Sequence, residues 1–220
     1  MPNDYFALCI LHFELKGNLI IISSPSGGGK GTLIKEVLEA LPDVGYSVSL
    51  TTRAPRFGEE DGKHYYFVSK LKFEEKINSD GFLEYAEVHG NWYGTSRKQT
   101  ENMTNAGKDI ILEIDVQGAI QIMEKMPEAV SIFIMPPSYE VLKARLTSRA
   151  TEDLDALNLR LHNSYTEVME YSRFEYVVIN DEVRLAARKI SSIICAERNR
   201  RVRQIESVQG ILDSFGVVKH

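Results

Sequence analysis

The run Ile20-Ile21-Ile22-Ser23-Ser24-Pro25-Ser26-Gly27-Gly28-Gly29-Lys30-Gly31-Thr32 constrains this chain more than any other stretch. β-Branched residues favour a strand, small residues follow in a turn, and a lysine heads a helical pattern. Leu33, Ile34, Val37, Leu38 and Leu41 fall on one face of a helix that begins near Lys30. Strand, glycine-rich turn, lysine and helix in this order make a phosphate-binding loop. Small residues let successive backbone N–H groups converge on an anion at the helix N-terminus, and the lysine adds a point charge. Two positions depart from G-x-x-x-x-G-K-[ST]. Ser24 stands at the first glycine, and Gly31 stands where a hydroxyl is expected, with Thr32 one residue later. Without that hydroxyl, a metal ion carried by the phosphates is expected to meet the chain through water.

At 220 residues the chain has room for one domain with a substantial core, or a core with small insertions. Its 43% hydrophobic and 26% charged residues are ordinary for a soluble globular protein. A net charge of −5 gives no basic footprint for nucleic acid, so any phosphate site must concentrate Lys and Arg locally. Cys9 and Cys195 supply neither a metal cluster nor a disulfide framework, which fits a cytoplasmic protein. The apolar run from Tyr5 to Phe13 is too short to span a bilayer and lacks the flanks of a signal peptide. It reads as part of an N-terminal extension over residues 1–16, with no membrane association expected.

The remaining pattern alternates strands and helices. Strands are expected at 18–24, 46–51, 109–114, 130–135 and 176–179. Helices are expected at 30–41, 70–79 with Ser69 as N-cap, 96–106, 116–126, from Ser138, 152–172 and 181–207. Aromatic alternation at Tyr65–Val68 and Phe82–Tyr85 adds shorter strands. Buried-looking strands between amphipathic helices imply an α/β fold, a parallel sheet covered on both faces in three α/β/α layers. In such sheets ligands bind beyond the carboxyl ends of the strands, which places Ser24, Asp115, Pro136 and Asn180 along one edge. Two insertions overhang that edge, residues 49–97 and a polar, arginine-containing stretch near 145–160. Two flaps over one edge suit a transferase that holds an acceptor under one and closes the other over the transferring phosphoryl.

On the acceptor side, Arg53 and Arg56 flank Pro55 and can present two guanidinium forks to one phosphate. Tyr65 and Tyr93 could add phenolic donors. If Glu84 faces the ligand, its two oxygens can accept from adjacent donors on a base edge. Guanine offers that pair at N1–H and the 2-amino group and adenine does not, so such a site would reject adenine. Taken singly, the arginines also read as loop charges, the tyrosines as core-edge aromatics and Glu84 as a solvated strand residue.

Taken together, the segments resemble the guanylate kinase family. They are Ser47-Val48-Ser49, Thr51 to Arg56, Gly58-Glu59, Gly62 to Val68, Gly90 to Thr95, Glu113 to Gly118 and Pro136-Pro137-Ser138, in the family's order between about Leu19 and Arg198. The resemblance implies a P-loop kinase that passes the γ-phosphoryl of ATP to GMP, with Mg²⁺ accompanying ATP. It implies that Ser49, Glu84 and Thr95 recognise guanine, while Arg53, Arg56, Tyr65 and Tyr93 hold the GMP phosphate. Asp115 would lie near GMP and the metal's water shell. Ser24, Pro25, Ser26, Gly27, Gly28, Gly29, Lys30, Gly31 and Thr32 would hold ATP, with Asn180 and Asp181 near the adenine. Lys30, Arg56, Arg149 and Arg160 would carry the catalytic charge, the last two from a closing lid. Ala150 before Thr151 departs from the usual lid pattern without removing a charge.

The implied layout is a core of 17–48, 98–136 and 163–207, a GMP-binding subdomain of 49–97, a helical lid of 137–162 and a C-terminal tail of 208–220. A non-catalytic binding module on the same fold and a kinase for another nucleoside monophosphate are the competing readings. The complete set of basic residues and Glu84 with Ser49 and Thr95 weigh against them. The basic stretch Arg198–Arg203 reads as the solvated end of a long helix, where cations suit the macrodipole.

Overall fold

The triple isoleucine lies in strand β1 (Leu19–Ser23), and the turn after it leads into α1 (Lys30–Ala40). A computed structural model describes residues 16–88, 90–148 and 154–215, so most of the N-terminal extension falls outside the described residues. After α1 come β2 (Gly45–Tyr46), β3 (Leu50–Thr51), β4 (Tyr66–Phe67), α2 (Lys70–Asn78), β5 (Phe82–Val88) and β6 (Asn91–Ser96). The chain continues through α3 (Arg97–Asn105), β7 (Ile110–Glu113), α4 (Val116–Lys125), β8 (Val130–Met135) and α5 (Tyr139–Ser148). It ends with α6 (Leu154–Met169), β9 (Tyr176–Ile179), α7 (Val183–Arg198) and α8 (Ile205–Ser214).

Five strands form a parallel sheet in the order β2-β7-β1-β8-β9. Every residue of β1 is buried, because the strand has a helical layer on each side. Ile20, Ile22, Ile132 and Ile134 pack with Leu33, Ile34 and Val37 of α1 and Ile190 and Ile194 of α7. Leu19, Ile21, Leu112 and Phe133 face the other way, against Ala119 and Ile122 of α4. Strand alternation thus divides one apolar run between two cores, giving the expected three layers. All five strands run the same way, so Ser23, Glu113, Met135 and Ile179 end along one edge.

A second sheet, β4-β3-β6-β5, draws its strands from residues 50–96. Phe73 of α2 stacks on Phe82 at 4.4 Å between ring centroids and lies 6.0 Å from Trp92, forming the floor of this sheet. Ser69 caps α2 by accepting from the Lys72 N–H (3.3 Å).

Two expected elements differ. The single strand expected at 46–51 is divided: β2 joins the parallel sheet, while β3 pairs with β6 in the second sheet. The Ser47 N–H still bonds Ile111, but the Ser49 carbonyl accepts from Tyr66, so the chain changes sheets within two residues. The helix expected through Ser207 stops at Arg198. Asn199 Nδ2 donates to the Cys195 carbonyl (2.7 Å) and Gln204 Nε2 to the Arg198 carbonyl (2.9 Å), terminating α7 before a 3₁₀ turn and α8. Helix α8 also occupies most of what reads as a tail. The basic stretch is tied into the chain rather than merely solvated. Arg198 bridges Asp43 (2.8 Å) and Asp109, Arg200 meets Glu197 (3.2 Å), and Arg203 donates to the Lys16 carbonyl (2.8 Å).

Ile132 is fully buried between β1 and β9. Ile132→Ala is expected to cost about 2–5 kcal/mol in urea unfolding through lost burial and a residual cavity. A cost below about 1 kcal/mol would contradict this placement of the core.

Candidate active site

The loop between β1 and α1 is shaped by its glycines and braced from behind. Gly29 takes φ +87°, a left-handed backbone that a side chain would strain, and a Cβ there would lie 2.5 Å from Asn180 Nδ2. Asn180 is buried and donates to the Gly28 carbonyl (2.8 Å). Arg145 of α5 bonds the Asn180 carbonyl (3.0 Å) and reaches the Gly28 carbonyl (3.5 Å). Asp181 turns outward and bonds the Glu182 N–H (2.8 Å). No side chain among the described residues caps α1, whose first backbone bond runs from Leu33 to Gly29. The N–H groups of Lys30, Gly31 and Thr32 therefore have no intrahelical acceptor, the condition for anion binding.

Residues Ser24 to Thr32 line a cavity of about 460 Å³ together with Glu113, Asp115 and Glu167. Lys30 Nζ donates to the Ile114 carbonyl (2.6 Å) at the end of β7. Burial pushes its pKa down, while Glu113, Asp115 and Glu167 pull it back up. Ser26 is held by three residues on one face of α6. Arg160 Nη2 donates to its hydroxyl (3.4 Å), Ser164 Oγ to its carbonyl (3.2 Å), and its N–H donates to Glu167 Oε2 (2.8 Å). Arg149 lies outside the described residues.

A second cavity of about 300 Å³ adjoins the first and shares Lys30, Glu113 and Asp115 with it. Its other walls include Tyr46, Ser49, Tyr65, Glu84 and Tyr93. Glu84 faces this cavity because the β5–β6 register slips between Phe82 and Glu84. That bulge sends Leu83 into the core under α4 and aims the next side chain at the pocket. Thr95 Oγ1 donates to Glu84 Oε1 (2.8 Å). Glu84 is 7% exposed, and burial raises its pKa to about 7 against the opposing pull of the Thr95 hydroxyl.

Arg53 stands beside this cavity rather than in its wall. It pairs with Glu59 (2.9 Å) and lies 5.5 Å from the centre of the Tyr65 ring, which meets Tyr93 edge-on. The Arg56 N–H bonds the same Glu59 (2.7 Å), while the residue itself is exposed. Glu59 thus bonds both positions, through the Arg53 guanidinium and the Arg56 backbone. Asp115 caps α4 through the Gly118 N–H (2.7 Å) and keeps an edge in both cavities.

The guanylate kinase family model matches residues 16–197. A guanylate kinase of Clostridium tetani is 49% identical over 203 residues, covering 92% of this chain and 96% of its own. One from Lactiplantibacillus plantarum is 50% identical over 184 residues, 83% of this chain and 89% of its own. A crystal structure of guanylate kinase from Anaplasma phagocytophilum aligns with a TM-score of 0.75 at 36% identity, over 94% of this chain and 98% of that one. The chain belongs to the guanylate kinase family. As a guanylate kinase family member it is a nucleoside monophosphate kinase by class, and its substrates are nucleotides. Among the described residues, no helix is long and apolar enough to cross a membrane.

Four residues in or behind the two cavities, Tyr46, Glu113, Arg145 and Glu167, carry no assignment from the sequence. Tyr46 donates to Glu113 Oε2 (3.1 Å), and Arg145 and Glu167 reach the loop from separate helices. Glu113 alone carried a usable signal, since it stands two residues before Asp115 at a strand end. Among the described residues, no group of three acidic, His or Cys side chains is placed to hold a metal. Glu113 borders the loop at Gly31, where a Cβ would lie 3.5 Å from its Oε1, an ordinary contact distance. Glu113 and Asp115 offer the hard oxygens that suit a water-shelled Mg²⁺ beside phosphates.

Thr95→Val removes the donor that stabilises ionised Glu84, so the Glu84 carboxyl is expected to titrate above its value of about 7 in a ¹³C NMR titration. A lower value would contradict the contact.

Proposed function

We propose that this chain transfers the γ-phosphoryl of ATP to GMP, giving ADP and GDP. The observation that carries the reading is the shared wall. Lys30, Glu113 and Asp115 belong to both cavities, so a phosphate in the loop and an acceptor beside Glu84 meet over the same side chains.

The acceptor is a phosphate oxygen already ionised at neutral pH, so no strong base is required, and rate comes from positioning and charge. ATP phosphates lie over the α1 N–H groups, with Lys30 exchanging its Ile114 carbonyl for them. Ser49, Glu84 and Thr95 read the guanine edge. Tyr65, Tyr93, Arg53 and Arg56 hold the GMP phosphate, the arginines leaving Glu59 for it. Arg160 and Arg149 bring positive charge to the transferring group, a role worth about 10³–10⁵ in rate in related systems. Mg²⁺ carried in with ATP would be held near Glu113, Asp115 and Thr32, and would supply neutralising charge for the phosphates. The subdomain at 49–97 and the lid at 137–162 bring these groups together, and the site needs no nucleic acid.

Lys30→Met is expected to lower kcat at least about a hundredfold in a coupled ADP assay with the fold intact by circular dichroism. Near-normal kcat would remove Lys30 from the mechanism. Glu84→Gln is expected to raise KM for GMP about tenfold or more and leave KM for ATP nearly unchanged. A neutral Glu84 cannot accept both guanine donors, so wild-type KM for GMP should fall as pH rises through about 7. The GMP phosphate titrates near pH 6 in both proteins, so Glu84→Gln, which lacks the step near 7, isolates the carboxylate. An unchanged GMP KM in Glu84→Gln would contradict base recognition by this residue.

A further inference from the structure

Three carboxylates line a cavity shaped for a polyanion, and their partners differ. Glu113 accepts from the Tyr46 hydroxyl and Asp115 caps α4, so each is engaged with its own surroundings. Glu167 is bonded to the phosphate loop itself, through the N–H of Ser26 at 2.8 Å. It is partly buried, with Lys30 and Asp115 as its charged neighbours. Burial and Asp115 push its pKa up, while the Ser26 N–H and Lys30 draw it down. A carboxylate on a loop N–H is the arrangement that a nucleotide phosphate would itself adopt.

We propose that Glu167 is a resident anion of the phosphate loop, competing with the nucleotide for it and so setting how tightly nucleotide is held. The proposal rests on the ATP reading of this loop. The α6 helix gives it a mechanical sense. Arg160, Ser164 and Glu167 lie on one face and all touch Ser26, with fully buried Ser164 between the two charges. Incoming phosphate attracts Arg160 and repels Glu167, so opposite forces act on the two ends of one helical segment. After transfer, Glu167 is placed to reclaim the Ser26 N–H as ADP leaves.

The alternative is that Glu167 only positions the loop. Glu167→Gln separates the two, because the amide oxygen keeps an acceptor for Ser26 and loses the charge. Binding is read by calorimetry with inorganic tripolyphosphate and with ATP, in the absence of GMP, on the full chain. Competition predicts that Glu167→Gln binds both about fivefold tighter or more. It also predicts tighter binding by Glu167→Ala, and stronger product inhibition by ADP in both variants. Equal or weaker binding by Glu167→Gln overturns the proposal, as does a loss of affinity in Glu167→Ala with Glu167→Gln unchanged. Failure of the wild type to bind either probe would sink the ATP reading and this inference together. Wild-type binding without a gain in the variants sinks the inference alone.

Discussion

The N-terminus of α1 carries N–H groups that no side chain among the described residues satisfies, and the catalytic edge is arranged around that demand. A helix start of this kind is stable only if something anionic or aqueous completes it. Gly29 turns the chain into the helix in a left-handed conformation, and Asn180 and Arg145 brace the carbonyl side of the loop. Its donor side is thereby left toward the cavity. The parallel sheet holds this geometry in place, since β1 is buried on both faces and cannot shift without disturbing two cores.

Charge is distributed around the loop with the same economy. Lys30, partly buried and bonded to a main-chain carbonyl, faces three carboxylates across the cavity. Arg53 is neutralised by Glu59 beside the second cavity. Lys30 and Arg53 thus each have an internal partner, so under the proposed reaction a phosphate would exchange with an existing contact at both. Glu84 follows the opposite rule. Its burial makes ionisation costly, so base recognition by Glu84, as proposed, would be coupled to its protonation.

Much of this was legible in the chain because it was written in local chemistry. The apolar runs gave the central strands, the glycines and Lys30 gave the loop, and Ser69 and Asp115 stand at the helix starts they cap. What escaped depends on contacts between distant residues. The run 46–51 looks like one strand, and only pairing with Ile111 on one side and Tyr66 and Gly94 on the other divides it. The end of α7 is set by Asn199, Gln204 and the acidic partners of Arg198, and no proline or glycine announces it. Glu167 belongs to a helix whose spacing says nothing about Ser26, 141 residues away. Simple alternation is also insufficient for Glu84, since the bulge beside it decides which face it takes.

The proposed reaction needs one cleft that joins a triphosphate loop to a pocket selective for guanine. It is tested most directly by following ADP formation from ATP and Mg²⁺ with GMP, AMP, CMP and UMP offered in parallel. Turnover with GMP alone is the predicted result. Turnover with another base in place of GMP would contradict the guanine assignment, and folded protein inactive with all four would contradict phosphoryl transfer itself.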